Sequence, residues 1–141
     1  MAISEVVGHE SFHLLCGWQL GGGMSRTVYS CNLLPDSVVK VEERGGNFQN
    51  IVEWETWSRV RDTKFAKWFA PCSWISPTGA VLIMARTSPA ELYPSEMPAF
   101  FCDFKRENYG RYNGCLVCHD YGTNMLFEFG MTKRMKKVEW W

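Results

Sequence analysis

Between residues 12 and 84 the apolar positions change period from two to three or four and back again, which predicts a sheet with one helix set into it. Residues 12–20, FHLLCGWQL, run into Gly21-Gly22-Gly23, and after Met24-Ser25-Arg26 comes the β-prone Thr27-Val28-Tyr29-Ser30-Cys31. That order predicts a strand, a glycine turn and a strand. Pro35-Asp36 breaks the chain, and Ser37-Val38-Val39-Lys40-Val41-Glu42 then alternates around a lysine as a short sheet strand does. Arg44-Gly45-Gly46-Asn47 reads as a loop with Asn47 as helix N-cap, and Phe48, Ile51, Val52, Trp57 and Val60 recur at helical spacing. A second, short helical stretch is expected from Asp62-Thr63 to near Ala70, with Phe65, Trp68 and Phe69 in the core. Pro71 stops it. Cys72–Ile75 and Ala80–Met84 flank the turn sequence Ser76-Pro77-Thr78-Gly79 and read as two more strands. The expectation is an α+β fold, an antiparallel sheet of about five strands with one main helix.

The second part of the chain is patterned differently. Residues 87–98, TSPAELYPSEMP, hold three prolines and exclude a long helix. The one basic run, Lys133-Arg134-Met135-Lys136-Lys137, reads as a solvated helix face, with a surface for RNA, DNA or an acidic partner as the alternative. The Trp140-Trp141 pair after it is able to pack back onto the domain.

Composition narrows the function classes. A chain of 141 residues is most simply one domain. Fifteen basic and fifteen acidic residues cancel, so there is no global field of the kind a histone-like protein carries, and any anionic ligand must be held locally. An apolar share of 46% with seven Trp and nine Phe argues for a packed globule. No run approaches the roughly 18 apolar residues of a membrane span, and MAISEVVGHE has no basic region followed by an apolar one. A cytoplasmic protein is expected, with no membrane association, no nucleic-acid partner, and its six cysteines as reduced thiols.

Candidate chemistry is densest in Asp103–Gly122, DFKRENYGRYNGCLVCHDYG, which spaces two aspartates, a lysine and an asparagine around a small turn. Mg²⁺ prefers oxygen ligands, so a carboxylate and an amide carbonyl suit it, and a lysine can offset charge moving onto a transferred phosphate. Glycines such as Gly21 and Gly23 let a backbone approach a phosphate closely, the alternative being an ordinary hairpin. Lys40 is either phosphate-facing or a solvated strand residue. Within the same stretch Cys115-Leu116-Val117-Cys118-His119 matches C-x-x-C-H, the attachment signature of c-type haem. Attachment requires export, so haem is not expected. Zinc held by Cys102, Cys115, Cys118 and His119 would have soft ligands, but adjacent Cys118 and His119 bend poorly onto one tetrahedral ion.

In chain order, the glycine turn, the lysine strand, D-x-K-x-x-N and D-Y-G resemble the nucleotide-binding half and catalytic loop of protein kinases. The resemblance covers residues 16–122 and is to a reduced, phage-type member of that family. It implies one kinase-like domain over 1–141, with a nucleotide-binding lobe at 12–87 and a truncated catalytic lobe at 88–141. ATP and Mg²⁺ are the implied cofactors. Gly21, Gly23 and Val28 would cover the phosphates, with Arg26 at the place of the family's third glycine, supplying a charge for lost backbone contacts. Lys40 would reach the α- and β-phosphates, with a helix carboxylate as its partner. Glu53 is chosen over Glu55 because Trp57 and Val60, four and seven residues on, put it on the apolar face. Met84 would lie behind the adenine pocket and Ala85-Arg86-Thr87 would form the hinge. The same resemblance makes Asp103 the catalytic base, Lys105 the phosphate-facing lysine, and Asn108 and Asp120 the metal ligands, with Cys115–His119 as the strand delivering Asp120.

The departures from the pattern are specific. Phe101 and Cys102 stand where kinases keep a histidine and an arginine, a short connector replaces the helices between hinge and catalytic loop, and no A-P-E follows Gly122. The implied activity is transfer of the γ-phosphoryl group of Mg-ATP to a hydroxyl acceptor on protein, of the Ser/Thr kinase type. The alternatives are a pseudokinase-like interaction module that modulates a host protein, and a structural domain whose motif matches are accidental.

Overall fold

A computed structural model describes residues 2–23, 25–43 and 48–141. Its centre is a five-stranded antiparallel sheet built from β1 (Cys16–Gly22), β2 (Arg26–Cys31), β3 (Ser37–Glu42), β4 (Cys72–Ile75) and β5 (Val81–Ala85), in the order β1-β2-β3-β5-β4. The α+β class and the five-stranded sheet expected from the periodicity are therefore present. Register follows from the two-residue period: Lys40 lies opposite Val28 on one side and Leu82 on the other. Val38, Leu82 and Met84 join the main core, whereas Val39 packs on the other face with Cys16, Cys31 and Tyr29.

Helix α1 (Ile3–Leu15) precedes the sheet, and α2 (Gln49–Val60) crosses from β3 to the segment before β4. The strand expected over residues 12–20 is corrected here, since 12–15 close α1 and β1 starts at Cys16. The Glu5 carboxylate accepts from the Ala2 N–H at 2.9 Å, a back-bond that stabilises a helix start. No residue of α1 is buried, and Phe12 meets Tyr29 edge to face with ring centroids 5.2 Å apart. The Asn47 cap lies outside the described residues. Instead, Glu42 at the end of β3 accepts from Gln49 N at 2.6 Å and caps α2 from the sheet. The expected helical restart is a single 3₁₀ helix, Lys64–Trp68, with the Thr63 hydroxyl accepting from Phe65 N.

The rest of the chain has little regular structure and is held by aromatic packing. Phe69, Phe100, Phe101, Tyr109 and Tyr121 are buried and in mutual ring contact at 4.9–5.9 Å. Such contacts are worth roughly 0.5–1.5 kcal/mol each beyond burial. Strands β7 (Tyr109–Tyr112) and β8 (Cys115–Cys118) form a hairpin about Asn113 and Gly114, whose φ values of 49° and 77° are those of the tight turn that Asn-Gly selects. A bond from Ala70 N to Cys118 O ties this hairpin to the segment before β4.

The basic tail is not the solvated helix face expected. Met135–Lys137 form a strand, β9, paired antiparallel with β6 (Glu96–Pro98), which sets Lys137 opposite Glu96. Trp140 does pack back, as its indole N–H donates to Pro94 O at 2.7 Å and its ring meets Tyr109 at 4.8 Å. A short helix, α3 (Leu126–Phe129), precedes β9. No helix among the described residues is long and apolar enough to cross a membrane.

Candidate functional site

A cleft of about 760 Å³ opens between the sheet and the Lys105–Asp120 region. Its sheet wall is Leu20 to Gly23, Ser25, Arg26, Val28, Val38 and Lys40, and Gln49, Ala85, Arg86 and Thr87 continue it. Lys105, Glu107, Asn108, His119 and Asp120 form the opposite wall. Of the residues singled out in the sequence, Gly21, Gly23, Arg26, Val28, Lys40, Arg86, Lys105, Asn108 and Asp120 all meet here.

Alternation along β3 turns Lys40 inward, to 3% exposure, and the helical period of α2 brings Glu53, fully buried, beneath it. Lys40 Nζ donates to Glu53 Oε1 and Oε2 at 3.0 and 3.2 Å, and its remaining contact is with the carbonyl of His119. Arg26 turns inward from β2 onto the same carboxylate. Its Nη1 donates to Glu53 Oε1 at 2.5 Å and Asn50 Oδ1 at 3.1 Å, and its Nη2 to Glu53 Oε2 at 3.3 Å and Asp120 Oδ1 at 2.9 Å. Tyr121 N donates to Glu53 as well, at 2.7 Å. Burial alone would push the Glu53 carboxyl up, but Lys40 and Arg26 outweigh it and hold the pKa below the ordinary value of 4.5. For Arg26, burial works against the charge, and Glu53 followed by Asp120 and Glu42 overcomes it, leaving the guanidinium pKa above the ordinary one.

Two expectations need correction. Arg26 does not offer its charge to the cleft in place of backbone contacts, because all four of its terminal N–H bonds go to Asn50, Glu53 and Asp120. Asp103 is exposed, accepts from Lys105 N at 3.3 Å, and is not among the residues lining the cleft. The loop turns at a 3₁₀ helix, Arg106–Asn108, so Lys105 and Asn108 face inward while Asp103 stays outside. Met84 is fully buried and is not among the residues lining the cleft. In the segment expected to form the hinge, the N–H groups of Ala85 and Arg86 are already bonded to Pro71 O and Asp36 O.

His119 is the important residue that sequence reasoning missed. Its Nε2 faces the Glu107 carbonyl at 2.6 Å, so that nitrogen carries the proton, and Nδ1 accepts from the Thr87 hydroxyl at 2.7 Å. Its N–H donates to Asn108 O, and its carbonyl receives Lys40. One side chain and its peptide thus join β3, the segment after β5, the Asn108 turn and Asp120. Burial, followed by Lys40, holds its pKa below 6.5, so the ring is neutral at pH 7. Its place beside Asp120 was the available signal, obscured by the C-x-x-C-H pattern. Of that pattern, Cys118 is buried and donates to Asp120 O, while Cys115 is exposed. Among the described residues no three His, Cys, Asp or Glu side chains are grouped as a metal site would require.

Gly122 has a packing reason: a Cβ there would lie 2.9 Å from Gln49 Cβ and 3.2 Å from its Cα. Gly21 and Gly23 have none, since a Cβ on either meets nothing within 4 Å. No known protein family matches this chain, and no curated protein matches it.

Proposed function

We propose that this chain is a reduced, protein kinase-like nucleotide-binding protein whose cleft receives ATP. The observation that carries the reading is the buried Lys40–Glu53 pair at 3.0 Å beneath a cleft whose far wall holds Asn108 and Asp120. The strand order and the one α-helix described between β3 and β4 agree with a kinase-like nucleotide lobe. Val28, Val38 and Ala85 offer an apolar wall suited to a flat base, and the unpacked glycines at 21 and 23 leave room for phosphates. With Arg26 and Lys40 paired to Glu53 and Asp120, the charges left on the cleft wall are Arg86 and Lys105 against Glu107, a balance that favours an anion.

Whether the γ-phosphoryl group is transferred to a hydroxyl acceptor depends on Asp103. Its position outside the cleft favours the second reading, a pseudokinase-like interaction module that acts on a partner protein. Thermal unfolding with and without ATP tests the shared part. Saturation at about 100 times the dissociation constant adds about 2.7 kcal/mol, a rise of several degrees, and Lys40→Ala should reduce it. No rise in any buffer removes the nucleotide reading. Incubation with γ-labelled ATP separates the two: phosphoryl transfer requires label that Asp103→Asn abolishes, and the interaction module requires none.

A further inference from the structure

We infer that the cleft holds its nucleotide without a divalent cation, the Arg26 guanidinium standing on Asp120 where Mg²⁺ would otherwise supply positive charge. This rests on the nucleotide reading above and concerns what neutralises the acidic wall of that site.

The sequence pattern nominates Asn108 and Asp120 as a Mg²⁺ pair, but their surroundings do not fit one. Oδ1 of Asp120 is taken by Arg26 at 2.9 Å. A cation on the other oxygen would stand beside a fixed positive charge, and like charges in a partly dry site repel strongly. Arg26 cannot easily withdraw. It is 7% exposed and its four terminal N–H bonds are satisfied only in this position, two of them by the fully buried Glu53. Moving it outward would leave Asn50 Oδ1 without a donor and take one of two cations from the buried Glu53 carboxylate, which would keep only Lys40 and Tyr121 N. The charges also close without a metal: Lys40 and Arg26 balance Glu53 and Asp120, and Arg86 and Lys105 remain on the rim with only Glu107 against them. Arginine is suited to such a role because it stays charged when buried and its planar fork serves two carboxylates at once.

The test is calorimetric titration of the whole chain with ATP, in excess MgCl₂ and in excess EDTA, for wild type, Asp120→Asn and Arg26→Ala. The wild-type dissociation constants in the two buffers should agree within about threefold. Asp120→Asn alters a side chain that is 46% exposed and removes a negative charge from the cleft wall, so with no cation to lose it should bind ATP no more weakly than wild type in Mg²⁺. Arg26→Ala frees Asp120 and should bind at least about tenfold more tightly in Mg²⁺ than in EDTA. If circular dichroism shows Arg26→Ala unfolded, wild type and Asp120→Asn decide. A loss of about tenfold or more for wild type in EDTA, or for Asp120→Asn in Mg²⁺, overturns the inference and leaves the nucleotide reading standing. Absence of ATP binding in both buffers removes that reading and the inference together.

Discussion

Replacing Glu53 with glutamine removes one charge from the most constrained group in the molecule while keeping its shape. Glu53 is fully buried and accepts from Lys40, from both terminal nitrogens of Arg26 and from Tyr121 N. In Glu53→Gln, Lys40 at 3% and Arg26 at 7% exposure lose the carboxylate they share, and among the described residues Asp120 is the one carboxylate still hydrogen-bonded to either. Removing one partner of a buried ion pair costs about 3–5 kcal/mol, and here one carboxylate serves two cations, so about 4 kcal/mol is expected. A domain of this size has about 5–15 kcal/mol in total, and the melting temperature should fall by roughly 10–20 °C. Lys40→Met should cost less, about 2 kcal/mol, because Arg26 and Tyr121 N still satisfy the carboxylate. Urea unfolding followed by tryptophan fluorescence measures both. The pH dependence adds a signature. The folded pKa of Glu53 lies below its unfolded value of 4.5, so its contribution is complete above 4.5 and is lost as pH falls through the lower, folded value. Glu53→Gln should flatten that part of the acid limb. A cost below about 1 kcal/mol for Glu53→Gln, or a larger cost for Lys40→Met, would refute the account of a two-cation cluster centred on Glu53.

Two further substitutions test how the second half of the chain is attached. Gly122→Ala should destabilise by about 1–3 kcal/mol, because its methyl group would meet the backbone of α2 at Gln49; an unchanged urea midpoint would show that this junction can give. Trp140→Ala should cost about 3 kcal/mol through lost contacts with Tyr93, Phe104 and Tyr109 and the bond to Pro94. Its effect should appear as faster amide exchange in β6 and β9, and unaltered exchange there would mean that the strand pair holds without the tryptophan.

The sheet was legible in the sequence because its information is local. Alternation around Lys40, the Ser76–Gly79 turn and the α2 periodicity each lie within a few residues, and together they nominated Glu53 through its place beside Trp57 and Val60. The Asn113-Gly114 turn was equally local, although β7 was not among the expected strands. What only the tertiary structure decided depends on partners distant along the chain. The basic tail became a strand because β6 presents an edge to it, and α1 displaced the expected strand at residues 12–15 with no buried face to betray it in the pattern. Arg26 could not be placed from its neighbours. Its direction is set by Glu53 and Asp120, which lie 27 and 94 residues away, and a buried guanidinium goes where its hydrogen bonds can be satisfied. Asp103 failed to join the cleft for the converse reason. Spacing within D-x-K-x-x-N does not set the direction of each side chain, and the turn at Arg106–Asn108, bonded through Asn108 O to His119 N, brings Lys105 and Asn108 inward and leaves Asp103 in solvent.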